Sequence, residues 1–588
     1  MSEQEHESAW AEGDSIEKQG IPIGQYVWTI NSKFGDIIPT TPDTLHHHFN
    51  NGAFTEGILG HYNTTGNLGS PRISRLFEEQ MNSMFENQFI FANPYDFFIT
   101  PVDKLIYTNT KSPFTNLTYH SCGNKQNGED RIKGLFYVNV NKRLGVGFKL
   151  DYWYGRGYYA NQSTAHFNGT LYGSYRGKIY EMHTQYFANH LKNAENGGVE
   201  EITYITQPEL YPTKYGTADM PTRLSKTWNK MNVNTFFLNH KYKIGKTRYK
   251  DGNSVYDSKN KGTKFLDAVI TNDETALEGP LEIEGDTTIQ NIPEFTHVAS
   301  IIHTMKIDHN NRRFLSNIPS SIHSPHFFND YYLPGDSAND YTKNLHIANT
   351  LGIELNEGFC KWAKSGVRLF AKHDFFKFTL PTEIQTTKRY HEHYITLGAQ
   401  LLRQQGKTFN YNVLGELRTS GKTWGEFNIE GNLSLKFLTK NDTLSLGLNG
   451  YIRNEEPSFY YKHYHSRNAW WDNYDLSQMF RSSICGTLKY KMTQLNIRLE
   501  SIQNYTYFQS IATPYYNKEG IYLPLQSVGV QQSKRNIQLL SATLRQDFKW
   551  GIFNWENELT YQISSNKTTF PLPLLNAYSN MYLKFSIS

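Results

Sequence analysis

The sequence predicts an all-β fold, a transmembrane antiparallel β-barrel, on three observations. From Phe427 to Phe437 the chain alternates without a break. Phe427, Ile429, Gly431, Leu433, Leu435 and Phe437 fall on one side; Asn428, Glu430, Asn432, Ser434 and Lys436 fall on the other. Period-two alternation is a strand with one apolar and one polar face, and about 10 residues tilted by about 45° cross a bilayer. The pattern also recurs. Leu144, Val146, Phe148, Leu150 and Tyr152 alternate with Gly145, Gly147, Lys149 and Asp151. Leu495, Ile497 and Leu499 alternate with Asn496, Arg498 and Glu500, and Phe553, Trp555, Leu559, Tyr561 and Ile563 with Asn554, Glu556, Glu558, Thr560 and Gln562, only Asn557 breaking the apolar face. The third observation is that short turns and long links follow one another in step, as in barrels with short periplasmic turns and long external loops.

Strands are expected near 114–123, 131–140, 144–154, 164–176, 178–190, 231–244, 295–308, 341–356, 366–378, 389–403, 407–418, 423–437, 441–455, 480–492, 494–506, 536–549, 552–564 and 580–588, about 18 in all. Tight turns are expected at 141–143, 177, 404–406, 440–442, 492–493 and 551. Long links read as Gly155–Ser163, Lys192–Lys230, His309–Asp340, Glu456–Met479 and Phe508–Arg535. One link breaks the alternation: near 246–294 a long stretch falls on the turn side, with Asp273, Glu274, Glu278, Glu282, Glu284 and Asp286, and reads as a periplasmic insert. The link Glu456–Met479 carries Phe459, Tyr460, Tyr461, Tyr464, Trp470, Trp471 and Tyr474, an aromatic set expected to pack over the barrel mouth rather than to stand exposed as a sugar platform.

Residues 1–113 do not follow the strand rhythm and read as a periplasmic extension or a small plug in the lumen, ahead of a barrel over 114–588. Val27–Trp28 and Ile37–Ile38 suggest a short hairpin, and Ser74–Gln88 a short amphipathic helix.

Composition agrees with a barrel. Hydrophobic residues are 38% of 588, mean hydropathy is −0.61 and no run of 18 apolar residues exists, so no membrane-spanning helix is expected. Aromatics reach 15%, as interfacial girdles require; Trp550, Phe553 and Trp555 flank the turn at Gly551. A net charge of +4 leaves no nucleic-acid footprint. Cys122, Cys360 and Cys485 have no metal or disulfide spacing. His46, His47 and His48 are adjacent, so they point to opposite sides of an extended chain and read as a polar loop. No cofactor, catalytic motif or phosphate loop is expected, and the chain is not read as an enzyme. The polar, acidic start carries no secretory signal, which a secreted barrel would need.

Four motifs, in this order, resemble a family. They are Asp43-Thr44-Leu45 with His48-Phe49; Gly66-Asn67-Leu68-Gly69-Ser70-Pro71; Tyr107 with Thr110 to Thr115; and Glu195-Asn196-Gly197-Gly198. Gly358-Phe359 and Lys361-Trp362-Ala363 add to them. The set is similar to the "putative porin" family of Bacteroidota outer-membrane β-barrels. The resemblance implies an outer-membrane barrel of the porin type, a fold-level expectation that does not fix function, and no catalytic residue. It also implies more strands after Ser588, so the sequence reads as truncated, with a barrel left open at two edges and not a competent pore.

The expected lumen carries charges of both signs: Lys149, Asp151, Glu426, Glu430, Lys436, Arg498, Glu500, Arg545, Asp547, Glu556 and Glu558. They would either set a transverse field across an open pore or pair with one another in a plugged one. The expected function is passive diffusion of small polar solutes across the outer membrane. The alternative is a non-conducting structural or assembly component that binds other envelope proteins. An active transporter would need a larger plug than residues 1–113 supply.

Overall fold

The computed structural model describes residues 25–41, 59–80, 88–124, 127–249, 293–319, 327–358, 364–383, 386–420, 425–439, 442–516, 520 and 522–585. Eighteen antiparallel strands, from Phe114–Cys122 to Leu575–Leu583, follow one another as neighbours in a closed barrel. All eighteen expected strands are present. The last runs five residues earlier than expected, because its register is set by pairing Leu575 with Tyr561 and Leu583 with Phe553. The expected open barrel is not found: Leu575–Leu583 lies beside Phe114–Cys122 and the sheet closes on itself. Closure removes the two unpaired edges that lipid would not tolerate.

The barrel is inside-out relative to a soluble protein. In strand Ala338–Leu355 burial alternates residue by residue. Its buried set includes Asp340, Thr342 and Asn344, while Leu351 and Ile353 are 58% and 65% exposed. Only a surrounding hydrocarbon makes that arrangement favourable, since apolar side chains face out and polar ones face in. At the turn end Phe548, Trp550, Phe553 and Trp555 form outward ring pairs with centroids 5.3–5.8 Å apart, the expected girdle.

The two longest strands, Thr227–Tyr249 and Pro293–Ser316, have 23 and 24 residues and pair along their whole length, with a bulge at Ile244/Gly245. The expected links Lys192–Lys230 and His309–Asp340 are therefore shorter than read, because strand continues to Ala194, from Thr227, to Ser316 and from Ala338. Polar outward residues there ended the alternation signal while backbone pairing continued. The same extension makes both flanks of the 246–294 insert strand; the rest of it, 250–292, lies outside the described residues. So do His46, His47, His48 and Cys360. The link Phe508–Arg535 contains a hairpin of its own, Thr506–Thr513 with Leu525–Gln532. The turn expected at 492–493 sits at 491–492, Thr493 being already paired with Tyr490.

The N-terminal segment is built on a three-stranded sheet. Gln25–Ile30 pairs with Ile37–Thr40 as the expected hairpin and, on its other edge, with Tyr107–Thr110. The expected helix Ser74–Gln88 is corrected at its start: Ser74 ends a short strand and helical backbone begins at Phe77. Residues 81–87 are not described.

Candidate functional site

The N-terminal segment lies inside the barrel, because it touches the inward-facing residues of the wall. Trp28 and Tyr107 stack at 5.8 Å and bury with Tyr137, Tyr172, Phe187 and Phe237, all from barrel strands. Trp28 Nε1 donates to His183 Nε2 at 3.3 Å. The hairpin turn carries a second attachment. Lys33 Nζ donates to Glu416 at 2.8 Å, and Phe34 packs edge-on against Phe370 at 5.0 Å. Asp36 meets Lys241 at 3.1 Å and Arg368 at 2.9 Å. Burial alone would raise the Asp36 carboxyl, but the charges of Lys241 and Arg368 outweigh it and hold the pKa down at about 2.

The motif Gly66 to Pro71 is the third attachment, and its composition follows from close approach. Leu68 N donates to Glu129 at 2.7 Å. Thr164 Oγ1 donates to Leu68 O at 2.5 Å, and His166 Nε2 lies 2.5 Å from Gly69 O. Gly69 has φ +87°, and a Cβ there would sit 2.7 Å from Thr164 Oγ1, so only glycine fits. A fourth attachment is His61, between Glu79 at 3.2 Å and Glu558 at 2.8 Å. Burial lowers its pKa, but the hydrogen bonds and charges of Glu558 and Glu79 prevail and lift it to about 9. Arg498 pairs with Glu78.

The link after strand Thr443–Glu455 folds inward over the segment. Phe459 and Tyr460 are almost fully buried. The Phe459 ring lies 3.8 Å from that of Phe378 with planes parallel, and Tyr460 meets Phe91 at 4.8 Å. Phe459 N donates to Gln88 Oε1 at 3.0 Å. This aromatic link is thus a stopper on the plug.

Between plug and wall remains a cavity of about 1240 Å³. Six of the sequence-derived candidates line it: Lys149, Asp151, Glu426, Arg498, Arg545 and Glu558. Glu430, Lys436, Glu500, Asp547 and Glu556 share their inward faces without lining that cavity. Most are paired: Arg131 grips Asp151 through two hydrogen bonds of 3.0 and 2.8 Å. Arg481 holds Glu500 at 2.7 Å, Arg453 reaches Glu430 at 3.4 Å and Arg545 reaches Asp547 at 3.1 Å. Tyr582 donates to Glu556 at 3.0 Å, Arg418 pairs with Glu426, and Lys149 donates to Thr100 of the plug at 3.1 Å.

Sequence reading missed a polar relay on the same cavity. His346 stands between Asp308 (3.4 Å) and Asp374 (2.8 Å), and these in turn meet Lys306 and Lys372, each at 3.1 Å. Phe376 stacks on His346 at 4.0 Å. The signal was period-two placement of Lys306 and Asp308, and of Lys372, Asp374 and Phe376, within strands whose apolar face was less regular. Among the described residues no group of three His, Cys, Asp or Glu could hold a metal ion. Cys485 faces the cavity and Cys122 is exposed, both as free thiols.

Fold and interior together define a plugged outer-membrane β-barrel. A family model described as "Putative porin" matches residues 24–588, and the chain belongs to that family. No curated protein matches the chain. Among solved structures, the chain is similar to the siderophore receptor PirA of Acinetobacter baumannii at 9% identity and TM-score 0.47, over 82% of this chain and 68% of that one. It is also similar to a variant of the ferric enterobactin receptor PfeA of Pseudomonas aeruginosa, at 8% identity and TM-score 0.47, over 77% and 62%. A third match is to the RagAB peptide transporter, at 8% identity and TM-score 0.42, over 74% and 50%. This chain spans roughly half to two thirds of the length of these neighbours. Family membership places the protein in the outer membrane, in a transport role.

Proposed function

We propose that the barrel lets small polar solutes diffuse passively across the outer membrane, along the space between plug and wall. One observation supports this most. The cavity is lined at the loop end by Glu455 and Glu456 and near the turn end by Gln494 and Asn496, so it follows the wall over almost its full height. Its lining alternates in sign, with Lys149, Arg498 and Arg545 set against Asp308, Glu426 and Glu558. Such a wall favours hydrated polar solutes over apolar ones and shows no bias for one charge. The test is conductance of the purified protein in planar bilayers. A steady current, reduced by small sugars that enter the path, is expected. A bilayer that stays silent would overturn the reading. It would favour a non-conducting envelope component, for which the ion pairs tying plug to wall speak.

A further inference from the structure

We propose that the outward face of the barrel, at its loop end, binds phosphate-bearing lipid headgroups of the outer leaflet. Rows of cross-strand partners carry the inference. The row Tyr186, Phe236, Ile307, Ile347 and Phe375 runs across five neighbouring strands on the outward face and is wholly apolar. Two residues further along each strand stand Ala188, Asn234, His309, Leu345 and Lys377. Two further still, Asn311 is opposite Lys343, and Thr379 is opposite Arg389 of the next strand. Beyond these, Lys192 is directly opposite Lys230, and Lys230 directly opposite Arg313.

The hydrocarbon boundary therefore lies just above the apolar row, and six cations follow within three rows: Lys192, Lys230, Arg313, Lys343, Lys377 and Arg389. The outward positions of these six strands beyond the apolar row contain no Asp or Glu. Among the described residues none of the six cations forms an ion pair; Arg313 donates to the Asn339 side chain at 2.9 Å. Like charges directly opposite one another destabilise a sheet, and an anion set among the three would relieve that repulsion. Strand length explains why they are here. Strands of 23 and 24 residues far exceed the 9–11 or so that a bilayer needs, and their surplus projects beyond it. Loops of such barrels face outward, which places the row at the headgroup level of the outer leaflet. Phosphate accepts from several Lys and Arg donors at once. A lipid headgroup, rather than free phosphate, is the occupant because the cations continue the lipid-facing band and point away from the lumen.

The full chain in detergent is titrated with bis-phosphorylated lipid A, and separately with the same lipid after enzymatic dephosphorylation, and retained lipid is counted by native mass spectrometry. Retention of the phosphorylated form on the order of a hundredfold tighter is expected if three cations each contribute as basic residues do near an anionic surface. The triple variant Lys192→Gln, Lys230→Gln, Arg313→Gln should lose that preference while keeping its bilayer conductance. Equal retention of both lipids by the unaltered protein would overturn the proposal, without recourse to the variant. So would a folded variant that keeps the preference, or an acidic protein occupying this face in place of lipid.

Discussion

Arg368, on the barrel wall and 1% exposed, places both arms of its guanidinium on Asp36 in the plug's hairpin turn, at 3.0 and 2.9 Å. Glu354 takes a further hydrogen bond from Arg368 at 3.1 Å. The pair is the clearest weld between plug and wall. Removing one partner of a buried pair leaves a charge uncompensated, at a cost of about 3–5 kcal/mol, discounted here because Asp36 keeps 28% of its side chain exposed. Asp36→Asn is therefore expected to weaken docking of residues 25–41 by about 2–3 kcal/mol. Hydrogen exchange of that segment would rise in the variant; unchanged protection would refute the weld. Because the Asp36 pKa is lowered to about 2, its contribution is present above the ordinary carboxylate range near 4 and is lost as pH falls through 2.

Gly35, in the same turn, has φ +68°, and a Cβ added there would lie 1.9 Å from Asn239 Oδ1. Gly35→Ala should displace the turn and break the Asn239 to Thr304 hydrogen bond of 2.7 Å. Adding Asn239→Gly should restore only part of the loss. The clash is removed, but the left-handed backbone still costs about 1 kcal/mol. Thermal unfolding of both variants measures this, and full recovery in the double variant would contradict it.

His61 responds to pH in the opposite sense to Asp36. Its folded pKa, lifted to about 9 by Glu558 and Glu79, exceeds the ordinary value of 6.5. The stabilisation is thus complete below 6.5 and lost as pH rises through 9. Protease cleavage within residues 59–80 should quicken between pH 7 and 10 in the native protein. His61→Gln should show fast cleavage at every pH, and a parallel pH profile in the two would dismiss the role.

The stack of Phe459 on Phe378 holds the mouth link down on the plug. Phe459→Ala removes a ring that is 1% exposed, at a cost of about 3–5 kcal/mol typical of buried aromatic truncations. The link should lift, and single-channel conductance should increase while the barrel remains folded. A variant with unchanged conductance would mean that the link does not limit passage.

Charge inside the cavity should tune selectivity. Lys149→Glu replaces a cation whose described partner is the Thr100 hydroxyl. Reversal potentials in asymmetric salt should shift toward cation preference, whereas Lys343→Glu, on the outward face, should leave them unchanged.

Much of the barrel is written locally. Alternation in a segment such as Phe427–Phe437 encodes which side chains meet lipid, and a turn such as Gly551 encodes where the strand reverses. A sheet's side-chain period of two makes both visible in one dimension. Residues Lys149, Glu430 and Glu558 could be placed on the inner face for the same reason. Closure, the plug and the site's pairings were not legible. Asp36 and Arg368 are 332 residues apart in sequence and meet only because the sheet curls shut around the hairpin. The cationic row Lys192, Lys230 and Arg313 likewise exists only in the register of three strands. By itself the sequence determined most of the barrel strands, their faces and their order along the chain, though not where several of them end. Which strand ends meet, what fills the lumen and which charges face one another were decided by tertiary structure, because those depend on contacts whose partners no local pattern names.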